Sequence, residues 1–176
     1  LDVLSNGRAI FGVGRGSMPT HFEGYGIDQE EGRERFIEGL ELIFGLWDQE
    51  DFTYDGKYYQ AHGFGVTPRP IQQPHPPVYV AANSPDTFGI VGSLGHSILV
   101  APTIVTTEGA LTGLASYRAE LAENGHSAAD VKIIVNVPMH VAATEEEARA
   151  GFTKTIDNYL GTLRDIGRAR GASKGS

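Results

Sequence analysis

The sequence predicts a parallel α/β architecture, and three observations predict it. Short apolar runs rich in β-branched residues recur at 78–82 (VYVAA), 97–101 (SILVA) and 131–141 (VKIIVNVPMHV), as expected of strands covered on both faces. Amphipathic helical stretches lie between and after them. The order that results is strand, helix, hairpin insert, strand, helix, strand, helix, strand, helix, and such alternation builds a parallel sheet. Four β/α units make half of an eight-stranded barrel, with both edges open.

Composition narrows the function classes. The chain has 176 residues, enough for one domain with a real core. A net charge of −8 argues against wholesale nucleic-acid binding. The absence of cysteine excludes disulfides, thiolate metal sites and cysteine nucleophiles. No apolar stretch approaches the roughly 18 residues of a membrane span, and no signal peptide is visible, so a cytoplasmic protein without membrane contact is expected. The chain opens on Leu1, and LDVLSNGR reads as a helix end followed by a turn, so a missing N-terminus is expected.

Residues 1–4 read as a last helical turn, closed by Ser5-Asn6-Gly7. Residues 8–13 (RAIFGV) read as a strand entering a glycine-rich loop, Gly12-Val13-Gly14-Arg15-Gly16. This is not the dinucleotide fingerprint, because the third glycine should stand where Ser17 is and no helix opens there. Glycines here let a ligand or a neighbouring backbone come close. Arg15, held between Gly14 and Gly16 at a strand end, is well placed to grip a phosphate.

Residues 17–27 read as a long loop. Asp28, with Glu31 three residues on, reads as a capping box that starts a helix. Its inner face carries Phe36, Leu40, Ile43, Phe44 and Trp47; Glu34, Arg35, Glu38 and Glu41 fall largely on the other. Trp47 reads as a packing anchor. FTYDGKYY then predicts a hairpin around an Asp55-Gly56 turn. The proline-rich run 67–77 predicts an extended path. A PxxP ligand is the alternative there, disfavoured because the run leads straight into a buried strand.

In VYVAANSPDTFGIVGSLG the strand 78–82 passes through a polar turn into a helix. Ser84 can cap that helix and Pro85 suits its first turn. A helix N-terminus presents unpaired N–H groups, and the hydroxyls of Ser84 and Thr87 complete a phosphate cradle; the simpler reading is that both only cap the helix. Gly89 and Gly92 suggest tight packing on the sheet. A helix over 108–124 has Leu111, Leu114, Ala115 and Leu121 inward. The strand 131–141 is expected buried, with a bulge or edge near Pro138. Thr144 and Glu147 form a capping box for a last helix, whose inner stripe is Ala148, Phe152, Ile156, Tyr159, Leu160 and Leu163. A folded domain over 1–165 and a disordered tail over 166–176 are expected.

None of the six histidines has a partner at metal-ligand spacing, so no metal site is expected. His21 with Glu23 could line a substrate entrance, although such a pair is more often simply solvated. No GxSxG nucleophile elbow is present.

LDVLSNGR, FGVGRG, EGLELIFGLW, FTYDGKYY, PRPIQQPHPPVYVAANSPDT and GHSILVAP, in that order, resemble the bacterial luciferase-like family of flavin-dependent oxidoreductases. The resemblance runs to about residue 165. It implies a TIM-type (β/α)8 barrel, of which this chain supplies about strands four to seven. It also implies reduced flavin mononucleotide (FMN), or a deazaflavin in some branches, bound at the C-terminal end of the barrel. By the same resemblance Arg15 with its neighbours Gly14 and Gly16, and Ser84 and Thr87, are flavin-phosphate ligands. Asn83 stands where luciferase has a glutamate. The implied activity is a monooxygenase using reduced flavin and molecular oxygen on a small organic substrate, with a flavin reductase as partner and a homo-oligomer for the full-length protein. The family's catalytic histidine falls in the early barrel, outside this chain, so no catalytic residue is assigned. Two other readings stand beside it: a deazaflavin-dependent reductase or dehydrogenase, and a truncated non-catalytic flavin-binding protein that covers its open edges by dimerising.

Overall fold

The structure, a computed structural model, describes residues 1–172, with side chains as far as residue 162 apart from that of Lys154. Six strands and six helices follow in the order α1 (Asp2–Ser5), β1 (Phe11–Val13), α2 (Pro19–Gly24), α3 (Gly32–Asp48), β2 (Phe52–Asp55), β3 (Gln60–Phe64), β4 (Val78–Ala81), α4 (Pro85–Ser93), β5 (Ser97–Val100), α5 (Thr107–Glu123), β6 (Ile133–Val135) and α6 (Glu145–Ala172). Four strands form one parallel sheet in the order β1-β4-β5-β6. The antiparallel pair β2-β3 stands apart from it. The alternation read from the sequence is thus the architecture observed.

The core lies where α4 and α5 pack over β4 and β5. Val80, Phe88, Val91, Ile98 and Tyr117 are fully buried there. The small residues of α4 face α5 and not the sheet as expected: a Cβ on Gly92 would overlap the Tyr117 carbonyl oxygen. On the other side, a Cβ on Gly113 would lie 2.6 Å from the Phe88 ring. The inner face of α5 is also rotated from expectation. Ala110, Gly113, Tyr117 and Leu121 are buried while Leu111 is 65% exposed, because α5 receives the Phe88 ring of α4 at Gly113 and lays its Tyr117 backbone against Gly92. The Tyr117 hydroxyl donates to the His96 carbonyl, 2.8 Å, which lets an amphipathic ring be fully buried.

Several expected boundaries move. The loop 17–27 contains α2, started by Pro19 at its first turn. Asp28 caps a single 3-10 turn over Gln29–Glu31 by accepting from Glu30 N, 2.9 Å, and α3 begins only at Gly32. The hairpin exists, but its second arm starts at Gln60, paired with Asp55, so the turn is longer than the Asp-Gly pair. Glu38 is buried and faces that turn, contrary to its expected outward position. The expected buried strand 131–141 shrinks to β6, whose three residues are all exposed. As the last strand it pairs with β5 alone, and Pro138 has no N–H to extend the ladder. Along α6, Ala148, Phe152, Ile156 and Leu160 are half-buried and Tyr159 is exposed. The side chain of Leu163 lies outside the described residues. The tail expected from residue 166 is helical as far as Ala172, and 173–176 lie outside the described residues.

At the N-terminal ends of β4 and β5, His75 stacks on Phe44 with centroids 4.7 Å apart, and His96 meets the same ring edge-on at 5.3 Å. Trp47 packs against Phe11 at 5.0 Å, as an anchor should. Burial, with His75 and His126 nearby, pushes the His96 pKa down from 6.5 to about 4. The unfolded chain therefore binds the His96 proton more readily than the folded one. Stability is expected to fall as pH drops from about 6.5 towards about 4 and to be flat in this respect above that window. The Gln72 backbone N–H, with its side-chain amide and the Ile71 N–H, holds the Asp2 carboxyl below its usual range, so Asp2 adds a loss only under more acid conditions. Urea midpoints at pH 7 and pH 5 check this. A His96→Leu variant should lose much of the difference between them; an undiminished difference would assign it to other groups.

Candidate functional site

Strands β1 and β4 are adjacent and parallel, with Val13 opposite Val80. The loops that follow them therefore leave the sheet on the same side, at its C-terminal edge, where α/β proteins place their ligands. Arg15 comes from the first loop and Ser84 from the second. Arg15 Nη2 donates to Ser84 Oγ at 3.3 Å, although the two are 69 residues apart in the chain. Ser84 Oγ and Thr87 Oγ1 share a hydrogen bond of 2.8 Å. Thr87 is 6% exposed. One guanidinium and two hydroxyls thus form a connected cluster at the start of α4.

Ser84 occupies the capping position with extended backbone, φ −138° and ψ 147°, yet its hydroxyl makes no bond to a first-turn N–H. Capping alone does not account for it. The hydroxyl joins Arg15 and Thr87, beside the positive end of the α4 dipole. Such a donor set fits a phosphate monoester: a planar fork of N–H donors, two rotatable hydroxyls and a helix terminus. One acid, Asp86, sits in the same turn and is exposed.

The glycine loop is shaped by Gly16, whose φ of +83° suits glycine alone. A Cβ on Gly14 would make only ordinary contact with Ala81 at 3.6 Å, so space does not demand glycine there. Asn83 is exposed and stands outside the bonded cluster. His21 and Glu23 are exposed on α2. Among the described residues no three His, Asp or Glu side chains converge as metal ligands.

A cavity of about 470 Å³ opens beside the cluster, between the glycine loop, α2 and α3. Arg15, Phe22, Gly32, Arg35, Phe36 and Tyr59 line it. Of its two cations, Arg35 is engaged: it pairs with Glu31 at 2.8 Å and lies 4.3 Å over the Tyr58 ring. Arg15 has no carboxylate partner among the described residues. The sequence assigns Phe22, Gly32 and Tyr59 no site role: Phe22 falls in the stretch that reads as a loop, Gly32 in the first turn of the helix that reads from Asp28, and Tyr59 in a hairpin arm.

The model of the luciferase-like monooxygenase family matches residues 1–175. The chain belongs to that family. This luciferase-like chain is 28% identical over 159 residues to an FMNH2-dependent dimethylsulfone monooxygenase of Pseudomonas putida, 89% of this chain and 42% of that protein. It is 40% identical over 102 residues to an F420-dependent glucose-6-phosphate dehydrogenase of Kineococcus radiotolerans, 56% of this chain and 29% of that one. Among solved structures, the monooxygenase RslO1 from Streptomyces bottropensis superposes with a TM-score of 0.81 at 29% identity, over 96% of this chain and 53% of RslO1. The luciferase-like chain thus spans about half or less of the length of these relatives. No helix among its described residues is long and apolar enough to cross a membrane.

Proposed function

We propose that this chain carries the phosphate-binding part of a flavin-dependent monooxygenase that uses reduced FMN and molecular oxygen on a small organic substrate. The observation that carries the reading is the Arg15–Ser84–Thr87 cluster. Arg15 would hold the FMN phosphate by charge-assisted hydrogen bonds, with Ser84 and Thr87 as further donors and Gly14, Gly16 and Asn83 bringing backbone close. When bound, the flavin supplies the electrons for oxygen activation. The chain's own task is to fix the flavin by its phosphate end and to present the walls of the cavity around Phe22 and Phe36, which limit water. Reduced flavin is consumed in each turnover, so a flavin reductase is the partner this chemistry requires. The FMNH2-dependent relative supports this choice of cofactor.

A deazaflavin-dependent dehydrogenase is the second reading, favoured by the 40% identity to the F420-dependent relative. The same cluster would then take the deazaflavin's phosphate.

Fluorescence titration of the intact protein with FMN and with F420 tests both. Arg15→Ala is expected to weaken the cognate cofactor by about 2 kcal/mol, roughly thirtyfold in Kd, as loss of a hydrogen-bonded charge usually does. Unchanged binding in the variant would remove the phosphate site and the reading built on it.

A further inference from the structure

We infer that Phe22 and Gly32 are positioning residues: together they form the seat that aims Arg15 at Ser84. The inference rests on the phosphate-site reading above and adds to it two residues that do not touch the anion. Three segments meet at the Phe22 ring. A Cβ on Gly16 would lie 3.3 Å from the ring, at Cε2 and Cζ. A Cβ on Gly32 would lie 3.0 Å from Cε1 and 3.2 Å from Cζ. The ring is thus wedged between the glycine loop and the start of α3, with a glycine on each side. The Arg15 stem runs past the same glycine: its Cγ would lie in ordinary contact, 3.8 Å, with a Cβ there. Gly32 is buried, and Phe22 and Arg15 are half-buried beside it.

The backbone around Phe22 is held as well. Its carbonyl accepts from Ile27 N at 2.9 Å, and its N–H donates to the Met18 carbonyl at 3.4 Å. The short helix α2 therefore acts as a bracket that carries the ring. An arginine side chain has several rotatable bonds and loses much rotamer freedom when fixed. A stem that runs past Gly32 from a loop pinned on Phe22 has already met part of that loss before the anion arrives. Preorganisation of this kind raises affinity without adding a contact.

Gly32→Ala is a clean probe. The Gly32 backbone is right-handed helical, φ −56° and ψ −28°, so alanine fits the backbone and favours the helix. Its methyl would crowd the Phe22 ring at 3.0 Å, so the ring on which the glycine loop rests must give way, while the Arg15 stem at 3.8 Å is only touched. FMN and riboflavin affinities of the intact protein are to be measured in the wild type and in Gly32→Ala, Phe22→Ala, Phe22→Tyr and Arg15→Ala, with urea midpoints alongside. Riboflavin lacks the phosphate, so its affinity reports the rest of the site. Gly32→Ala and Phe22→Ala are expected to weaken FMN by about fivefold to tenfold, less than the Arg15→Ala loss, and riboflavin by a clearly smaller factor. Phe22→Tyr should restore near-wild-type FMN binding. The inference is overturned if either alanine variant keeps wild-type FMN affinity while Arg15→Ala loses it, or if FMN and riboflavin weaken equally. If Arg15→Ala itself leaves FMN unchanged, the phosphate site and this seat fall together.

Discussion

Gly92→Ala is expected to destabilise the protein while Gly89→Ala, one turn away on the same helix, stabilises it. Both exchanges gain helix propensity, at most about 1 kcal/mol. At Gly92 the new methyl would overlap the Tyr117 carbonyl oxygen and lie 2.9 Å from Glu120 Cβ. Neither neighbour is the free end of a side chain, so α4 and α5 must move apart. That separation would open the layer holding Phe88, Val91 and Tyr117, all fully buried. Overpacking of this kind costs about 3 kcal/mol, which outweighs the propensity gain. At Gly89 the methyl would meet Ser116 Oγ at 3.5 Å and Glu120 Cγ at 3.7 Å, ordinary contacts. Urea unfolding of the two variants should separate them by about 3 kcal/mol in opposite directions from the wild type. Equal midpoints would mean that the α4–α5 contact is not tight.

Glu38→Ala is expected to release the β2–β3 turn from α3 and to lower stability by about 3 kcal/mol. Glu38 is 8% exposed, and its carboxylate accepts from Tyr58 N at 3.0 and 3.1 Å and from Tyr59 N at 3.2 Å. These are charge-assisted bonds to backbone donors, and removing the acceptor leaves both amides without it. A Cβ on Gly56 would overlap Glu38 Oε1, so the turn glycine is there for the approach of the carboxylate. Glu38→Gln keeps one acceptor oxygen and should lose about 1 kcal/mol. Amide exchange at Tyr58 and Tyr59 is the direct readout: fast in Glu38→Ala, near wild type in Glu38→Gln. If both variants exchange at the wild-type rate, the turn is held by something else. The effect reaches the cavity, because Tyr59 lines it.

The sequence carries the strand–helix alternation, and the observed sheet follows it, because strands covered on both faces must be apolar throughout. The cluster of Arg15, Ser84 and Thr87 was legible for a related reason: each lies just past a strand end, and parallel neighbours bring such loops together. What the sequence could not show was which face of a helix meets which neighbour. The stripe with Leu111 looked like the inner face of α5 because leucine is the better hydrophobe. The structure buries Gly113 and Tyr117 instead, since contact with α4 selects small residues for close approach and Tyr117 finds the His96 carbonyl. Glu38 was read as solvated because buried carboxylates are rare. Its partners are backbone amides, which no side-chain pattern records. Phe22 and Gly32 were hidden likewise, their roles existing only once α2 folds against the glycine loop.

The hydrogen bond between Arg15 and Ser84 bridges two loops that come together only when β1 lies beside β4. All of α3 and the hairpin lie between those strands in the chain, and closing so long an excursion is expected late in assembly. No early folding intermediate in which β1 is still free contains the anion site. A phosphate-bearing ligand at the proposed site would therefore not template the chain's assembly. It would act afterwards as a latch across the β1–β4 seam, holding together two loops on strands whose pairing is already complete.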